Sequence, residues 1–98
     1  MHIPPPVFLT NHALVLIMIW RHPDVRIRTI AERVGITERA AHRILKALVA
    51  RGCLEAQREG RNNRYLVRPN IQLRHPLVAR YKISELLQAV GGDPGEDE

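Results

Sequence analysis

Cysteine is almost missing from this 98-residue chain. The single Cys53 excludes an intrachain disulfide framework and any cysteine-cluster zinc site. Long apolar runs are missing as well. The longest, Ala13–Trp20, falls far short of the ~20 residues that a membrane-spanning helix needs. No basic residue precedes that run and no small-residue cleavage site follows it, so an export signal is not expected. Lysine is scarce: of the 15 basic residues only Lys46 and Lys82 are lysine, and the rest are arginine. Acid is scarce too, except at the end. Four of the ten acids, Asp93, Glu96, Asp97 and Glu98, crowd the last residues. The formal charge of +5 therefore hides +9 over residues 1–91, where 15 bases stand against 6 acids. Such an excess points to a polyanionic partner, nucleic acid first.

Histidines His2, His12, His22 and His75 are scattered, without metal-ligand spacing, and no metal or cofactor is expected. No nucleophile–base pairing, phosphate loop or paired carboxylates on a shared element occur, so an enzyme is not expected. A composition of 45% apolar and 26% charged residues excludes global disorder. The expectation is a soluble, cytoplasmic, nucleoid-associated protein with no membrane partner.

The length fits one small domain. Residues 1–9, with Pro4-Pro5-Pro6, read as an extended arm. Residues 10–90 read as the folded domain, and the Gly/Pro-containing acidic stretch 91–98 as a disordered tail. Thr10 and Asn11 are helix-cap types, and a first helix is predicted over about His12–Arg21, stopped by Pro23. Val25 and Ile27 alternate with Arg26 and Arg28, consistent with a brief strand. Thr29 and Glu32 fit a capping box opening a two-turn helix that ends at Val34-Gly35. Thr37 then caps a third helix running to about Arg51, which Gly52 terminates. Cys53–Arg58 and Arg64–Arg68 are predicted as a hairpin with its turn at Glu59–Asn63. Residues 70–81 are an irregular, partly basic connection, and Ile83, Leu86, Leu87 and Val90 mark a last short helix ending at Gly91-Gly92. Cys53 reads as a buried core thiol, with redox sensing the alternative.

The third helix decides the function. At 100° per residue, Arg39, His42, Arg43 and Lys46 fall within an arc of about 100° that holds no acid. Ala41, Ile44, Leu45 and Leu48 occupy the opposite, aliphatic face. A solvated basic face would look the same in isolation. However, the preceding helix is too short to stand alone. Joined by a glycine turn, it makes sense as the brace of a helix-turn-helix, with Ile30, Ala31 and Val34 against Ile36, Ala41 and Leu45. The N-terminal half of the third helix would then enter a DNA major groove.

Residues 28–56, RTIAERVGITERAAHRILKALVARGCLEA, resemble the winged helix-turn-helix of bacterial transcriptional regulators of the MarR-like and ArsR-like types. The resemblance extends from Phe8 to Leu87. It implies a mainly α fold with a small β-hairpin wing: a three-helix core plus a short C-terminal helix. The metal-binding cysteine motif of ArsR-like sensors is absent, and the long extra helices that build the ligand pocket and dimer of typical MarR proteins are absent or reduced.

In these families the wing contacts phosphate or the minor groove. Here it carries Arg58, Arg61, Arg64 and Arg68, with Asn62 and Asn63 at the tip; arginine suits phosphate forks and narrow grooves. An edge hairpin protected by its charges is the other reading. Arg39 and Arg43 are the expected base-edge readers, because guanidinium bonds guanine bidentately. Thr37 and Lys46 are expected on phosphates. Glu38 favours the helix dipole, with cytosine reading as the alternative. His42 either touches a base or phosphate or is a solvated face residue. Arg28, just before the brace, is within reach of the backbone.

The first helix is apolar almost all round, which predicts burial on most sides. A second copy of the chain is expected to cover what the domain cannot, through Leu14, Ile17, Met18 and Trp20 with Leu86, Leu87 and Val90. The competing arrangement is a monomer in which the last helix covers the first. The sequence therefore predicts a sequence-specific, homodimeric regulator on double-stranded DNA, with recognition helix 37–51 and wing 53–68. A winged-helix protein-interaction module and a non-specific architectural binder are the alternatives. No polar cluster marks a pocket for an effector.

Overall fold

Thr10 has extended backbone, and its Oγ1 accepts a hydrogen bond from the Ala13 amide at 3.2 Å. In the computed structural model, which describes residues 7–95, this cap opens α1 (Asn11–Arg21). The helix stops where Pro23 removes a donor. After it come α2 (Ile27–Val34), α3 (Glu38–Ala50), β1 (Leu54–Glu59), β2 (Asn62–Val67) and α4 (Ile83–Gly91). The expected order and the mainly α, winged helix-turn-helix fold are both present. Residues 1–6 of the expected proline-rich arm and 96–98 of the expected acidic tail lie outside the described residues.

One core joins all the helices and the base of the hairpin. Val15, Leu16, Ile19 and Trp20 of α1 meet Ile30 of α2, Ile44, Leu45 and Leu48 of α3, Leu54 of β1, and Ile83 and Leu87 of α4. The aliphatic face of α3 is thus the one buried, and Ala41 within it has no exposed surface. The turn between α2 and α3 depends on Gly35 at φ +87°, a conformation that side chains with a Cβ rarely adopt. Gly35 and Ile36 both donate to the Ala31 carbonyl there, at 2.8 and 2.9 Å. Thr37 then restarts the helix, its Oγ1 accepting from the Ala40 amide at 3.0 Å. Thr37→Ala is expected to cost about 1 kcal/mol, the usual worth of such a cap. A thermal melt should show it as a fall of roughly 4–8 °C in Tm.

Several local expectations are corrected. α2 begins at Ile27, so Val25–Arg28 is no strand and Thr29 caps nothing. Ile27 packs on the core, which draws the helix start back past Thr29. Glu32 pairs with Arg28 at 3.4 Å, one turn earlier, instead of closing a capping box. The hairpin turn is shorter than predicted. Glu59 pairs with Asn62, leaving only Gly60 and Arg61 between the strands. Gly60 has φ +60° and among the described residues no non-glycine residue has positive φ, so the loop follows the type II′ pattern with glycine first. Asn62 and Asn63 consequently lie in β2 rather than at the tip.

The connection after β2 is irregular as expected, closed at its base by Leu73 donating to Tyr81 O and Ile83 to Ile71 O, at 2.9 and 2.8 Å. The predicted tail also begins later. Gly91 is buried within α4, Trp20 Nε1 donates to Gly92 O at 2.8 Å, and Gly95 donates to Trp20 O at 2.9 Å. α4 therefore lies on α1, where a Cβ at position 91 would meet Ile17 and Trp20 at 3.4–3.5 Å. The chain itself covers much of the face that the sequence assigned to a second copy.

Candidate nucleic-acid interface

The buried stripe of α3 fixes what its other side presents. Arg39, His42, Arg43 and Lys46 are all exposed, as are Thr37 and Glu38 at the helix start. Among the described residues no acid pairs with Arg39, Arg43 or Lys46, so their charges face solvent uncompensated. Glu38 stands in the first turn, where its carboxylate faces the positive end of the helix dipole. Thr37 spends its oxygen lone pairs on the cap but keeps its hydroxyl proton to donate.

The wing stands beside this face. Its base is anchored by Leu54, Tyr65 and Val67, which pack on the core. Gln57–Asn63 is exposed throughout. Between the wing, the start of α3 and the α1–α2 linker lies an open groove of about 730 Å³. It brings together seven of the sequence-predicted residues: Arg28, Glu38, His42, Arg61, Asn62, Asn63 and Arg64. Thr37, Arg39, Arg43, Lys46 and Arg58 are not in it; Thr37 caps α3, and Arg39, Arg43 and Lys46 stand on it outside the groove.

The wing arginines differ in what holds them. Arg61 at the tip has no partner among the described residues. Arg58 Nε donates to Gly60 O at 3.2 Å and stiffens the tip. Arg68 lies 3.7 Å from Glu55, a diagonal cross-strand pair. Arg64 is turned inward: its Nε is 3.1 Å from Asp24 Oδ1, as an ion pair rather than an aligned hydrogen bond, and its Nη1 is 3.6 Å from Glu59.

Three charged groove residues escaped sequence reasoning, Asp24, Arg26 and Glu59. Arg26 sits at the α2 N-cap position, which only the true helix start reveals. Of the predicted subunit-contact residues, Leu14, Ile17, Met18 and Leu86 are half-buried and Val90 is 46% exposed. Trp20 and Leu87 are spent inside the chain, at 8% and 0%. Among the described residues no three His, Cys, Asp or Glu side chains converge to hold a metal, and no helix is long and apolar enough to cross a membrane.

Comparison with known proteins agrees with this fold. The MarR-family profile matches residues 8–64. Among solved structures, the chain is similar to the zinc-dependent MarR-family transcriptional regulator AdcR in its Zn(II)-bound state, at 21% identity and a TM-score of 0.51. The match covers 91% of this chain but 57% of that one, so the chain spans little more than half the length of AdcR. No curated protein matches. At that identity the structural likeness speaks for the fold, and the family profile, which spans more than half of the chain, speaks for descent. The chain belongs to the MarR family of winged helix-turn-helix, DNA-binding transcriptional regulators.

Proposed function

We propose that the chain binds specific sequences in double-stranded DNA as a homodimeric transcriptional regulator. One observation carries the reading. The uncompensated Arg39–Arg43–Lys46 face of α3 stands next to a wing whose tip arginine is also unpaired, with an open groove between them. An α-helix fits the major groove, and guanidinium groups at Arg39 and Arg43 match the acceptor pair of guanine. Thr37, Lys46 and Arg28 hold flanking phosphates. The groove takes a sugar–phosphate strand as the wing crosses towards the neighbouring minor groove, with Arg61 on a phosphate at its edge. His42, on the groove side of α3, meets the same strand.

Leu14, Ile17 and Met18 of α1 with Leu86 and Val90 of α4 form the subunit contact. A two-fold dimer would place the recognition helices roughly 34 Å apart, one turn of DNA. The protein acts on the nucleoid, in the cytoplasm.

Selection from random duplex DNA at near-physiological salt, followed by gel shift, tests the reading. Enrichment of a palindrome supports it. Binding without sequence preference replaces it with an architectural role, and no binding even at low salt leaves a protein-interaction module. Light scattering after size exclusion checks the dimer, which a monomer at micromolar concentration would contradict. Arg61→Ala is expected to weaken binding to every sequence about equally. It should also flatten the dependence of log K on log salt by about one unit, the loss of one phosphate contact.

A further inference from the structure

Three carboxylates, Asp24, Glu38 and Glu59, line a groove whose proposed ligand is a polyanion. Glu38 is accounted for by the start of α3. The other two share one partner. Arg64 lies 3.1 Å from Asp24 and 3.6 Å from Glu59, and the trio carries a net charge of −1. That charge repels phosphate, so the trio needs a reason other than attraction.

The hairpin supplies one. Its base is pinned by Leu54, Tyr65 and Val67, but from Gln57 to Asn63 every residue is exposed. A two-stranded ribbon without a buried face is free to bend and twist. Arg64 is the first residue of β2 inward from that exposed stretch, and its side chain is only 34% exposed. Its guanidinium joins the wing to the α1–α2 linker through Asp24 and to the opposite strand through Glu59. The linker leads directly into α2, the brace of the recognition helix. The geometry points to Arg64 as a positioning residue that, with Asp24, fixes the angle of the wing relative to the helix-turn-helix. It is not a phosphate contact. This inference rests on the DNA-binding reading above.

The sign of one substitution decides it. Asp24→Asn removes a negative charge from the groove, and electrostatics alone would tighten DNA binding. If Asp24 holds the wing through Arg64, the same change weakens binding. The expected loss is roughly two- to fivefold in Kd, the scale of a partly exposed ion pair. The salt slope stays unchanged, because no phosphate contact is lost. Asp24→Glu restores most of the affinity. Arg64→Gln weakens binding to a similar extent, and the double variant is no worse than the single ones. Asp24 is 81% exposed, so its replacement leaves the fold intact.

Fluorescence anisotropy on a labelled duplex, over a series of salt concentrations, reads these quantities. Amide ¹⁵N relaxation at Gly60–Asn63 reads the wing without DNA. Increased motion there in both D24N and R64Q, together with weaker binding, supports the inference. Tighter or unchanged binding by D24N overturns it. So does an R64Q salt slope flattened by about one unit, which would make Arg64 a phosphate contact. If the wild-type chain binds no duplex at all, the DNA reading fails by itself. Relaxation then decides whether Arg64 and Asp24 hold the wing, and unchanged wing motion in both variants refutes it.

Discussion

Replacing Arg39 and Arg43 together with alanine is expected to bring binding of the preferred sequence down to the level of random DNA. Both side chains project from the exposed face of α3, one turn apart, with no acid to hold them. A bidentate contact to guanine contributes about 1–3 kcal/mol of discrimination, so the pair accounts for roughly 30- to 10⁴-fold. The residual affinity should match that of wild-type protein on scrambled DNA, because the proposed phosphate contacts of Lys46, Arg28 and Arg61 remain in place. Stability provides the control. Alanine is the best helix former, and neither arginine packs on the core, so Tm should not fall. Each single variant should relax preference at its own base position and leave the rest of the site unchanged. A double variant that loses the same factor on all sequences, with a salt slope flatter by two, would move both arginines onto the backbone.

The residues of that face were legible because helical periodicity is a local property. Ala41, Ile44, Leu45 and Leu48 recur at the spacing of one buried stripe, and Arg39, Arg43 and Lys46 necessarily fall opposite. The glycine turn was equally legible, since Gly35 announces a left-handed residue between two helical segments. What failed was set by packing at a distance. Ile27 extends α2 backwards because the core reaches it, and no cap residue advertises that start. The turn at Gly60-Arg61 follows from the pairing of Leu54 with Val67 and Ala56 with Tyr65, whereas glycine and two asparagines allowed several loop lengths. Strand register in turn decides that Arg64 is diagonal to Glu59 and Arg68 to Glu55. Charge along the wing could be counted from the sequence, but how much of it remains free could not. Of the four wing arginines, two are held by carboxylates in the folded chain.

Trp20→Ala is expected to be the most destabilising single substitution outside the α2–α3 core, at about 3–5 kcal/mol. For a domain whose total stability is of order 5–15 kcal/mol, that leaves little margin, and Tm should fall by more than ~12 °C. The indole is 8% exposed between α1 and the end of α4, and its Nε1 donates to Gly92 O. Its own carbonyl accepts from Gly95, so one residue ties the C-terminal stretch at two points. Trp20→Phe separates packing from hydrogen bonding. It keeps most of the ring and should cost only about 1 kcal/mol, the usual worth of one hydrogen bond. The alanine variant also distinguishes the two ways of covering α1. Cover by α4 of the same chain makes the loss independent of protein concentration, whereas cover by a second subunit makes Tm rise with concentration. The packing of Gly91 against Ile17 and Trp20 favours the first. The proposed dimer would then form on the narrower surface of Leu14, Ile17, Met18, Leu86 and Val90. Charged substitutions at Val90 should disrupt it while leaving the α1–α4 packing, and the Trp20 emission that reports it, unchanged.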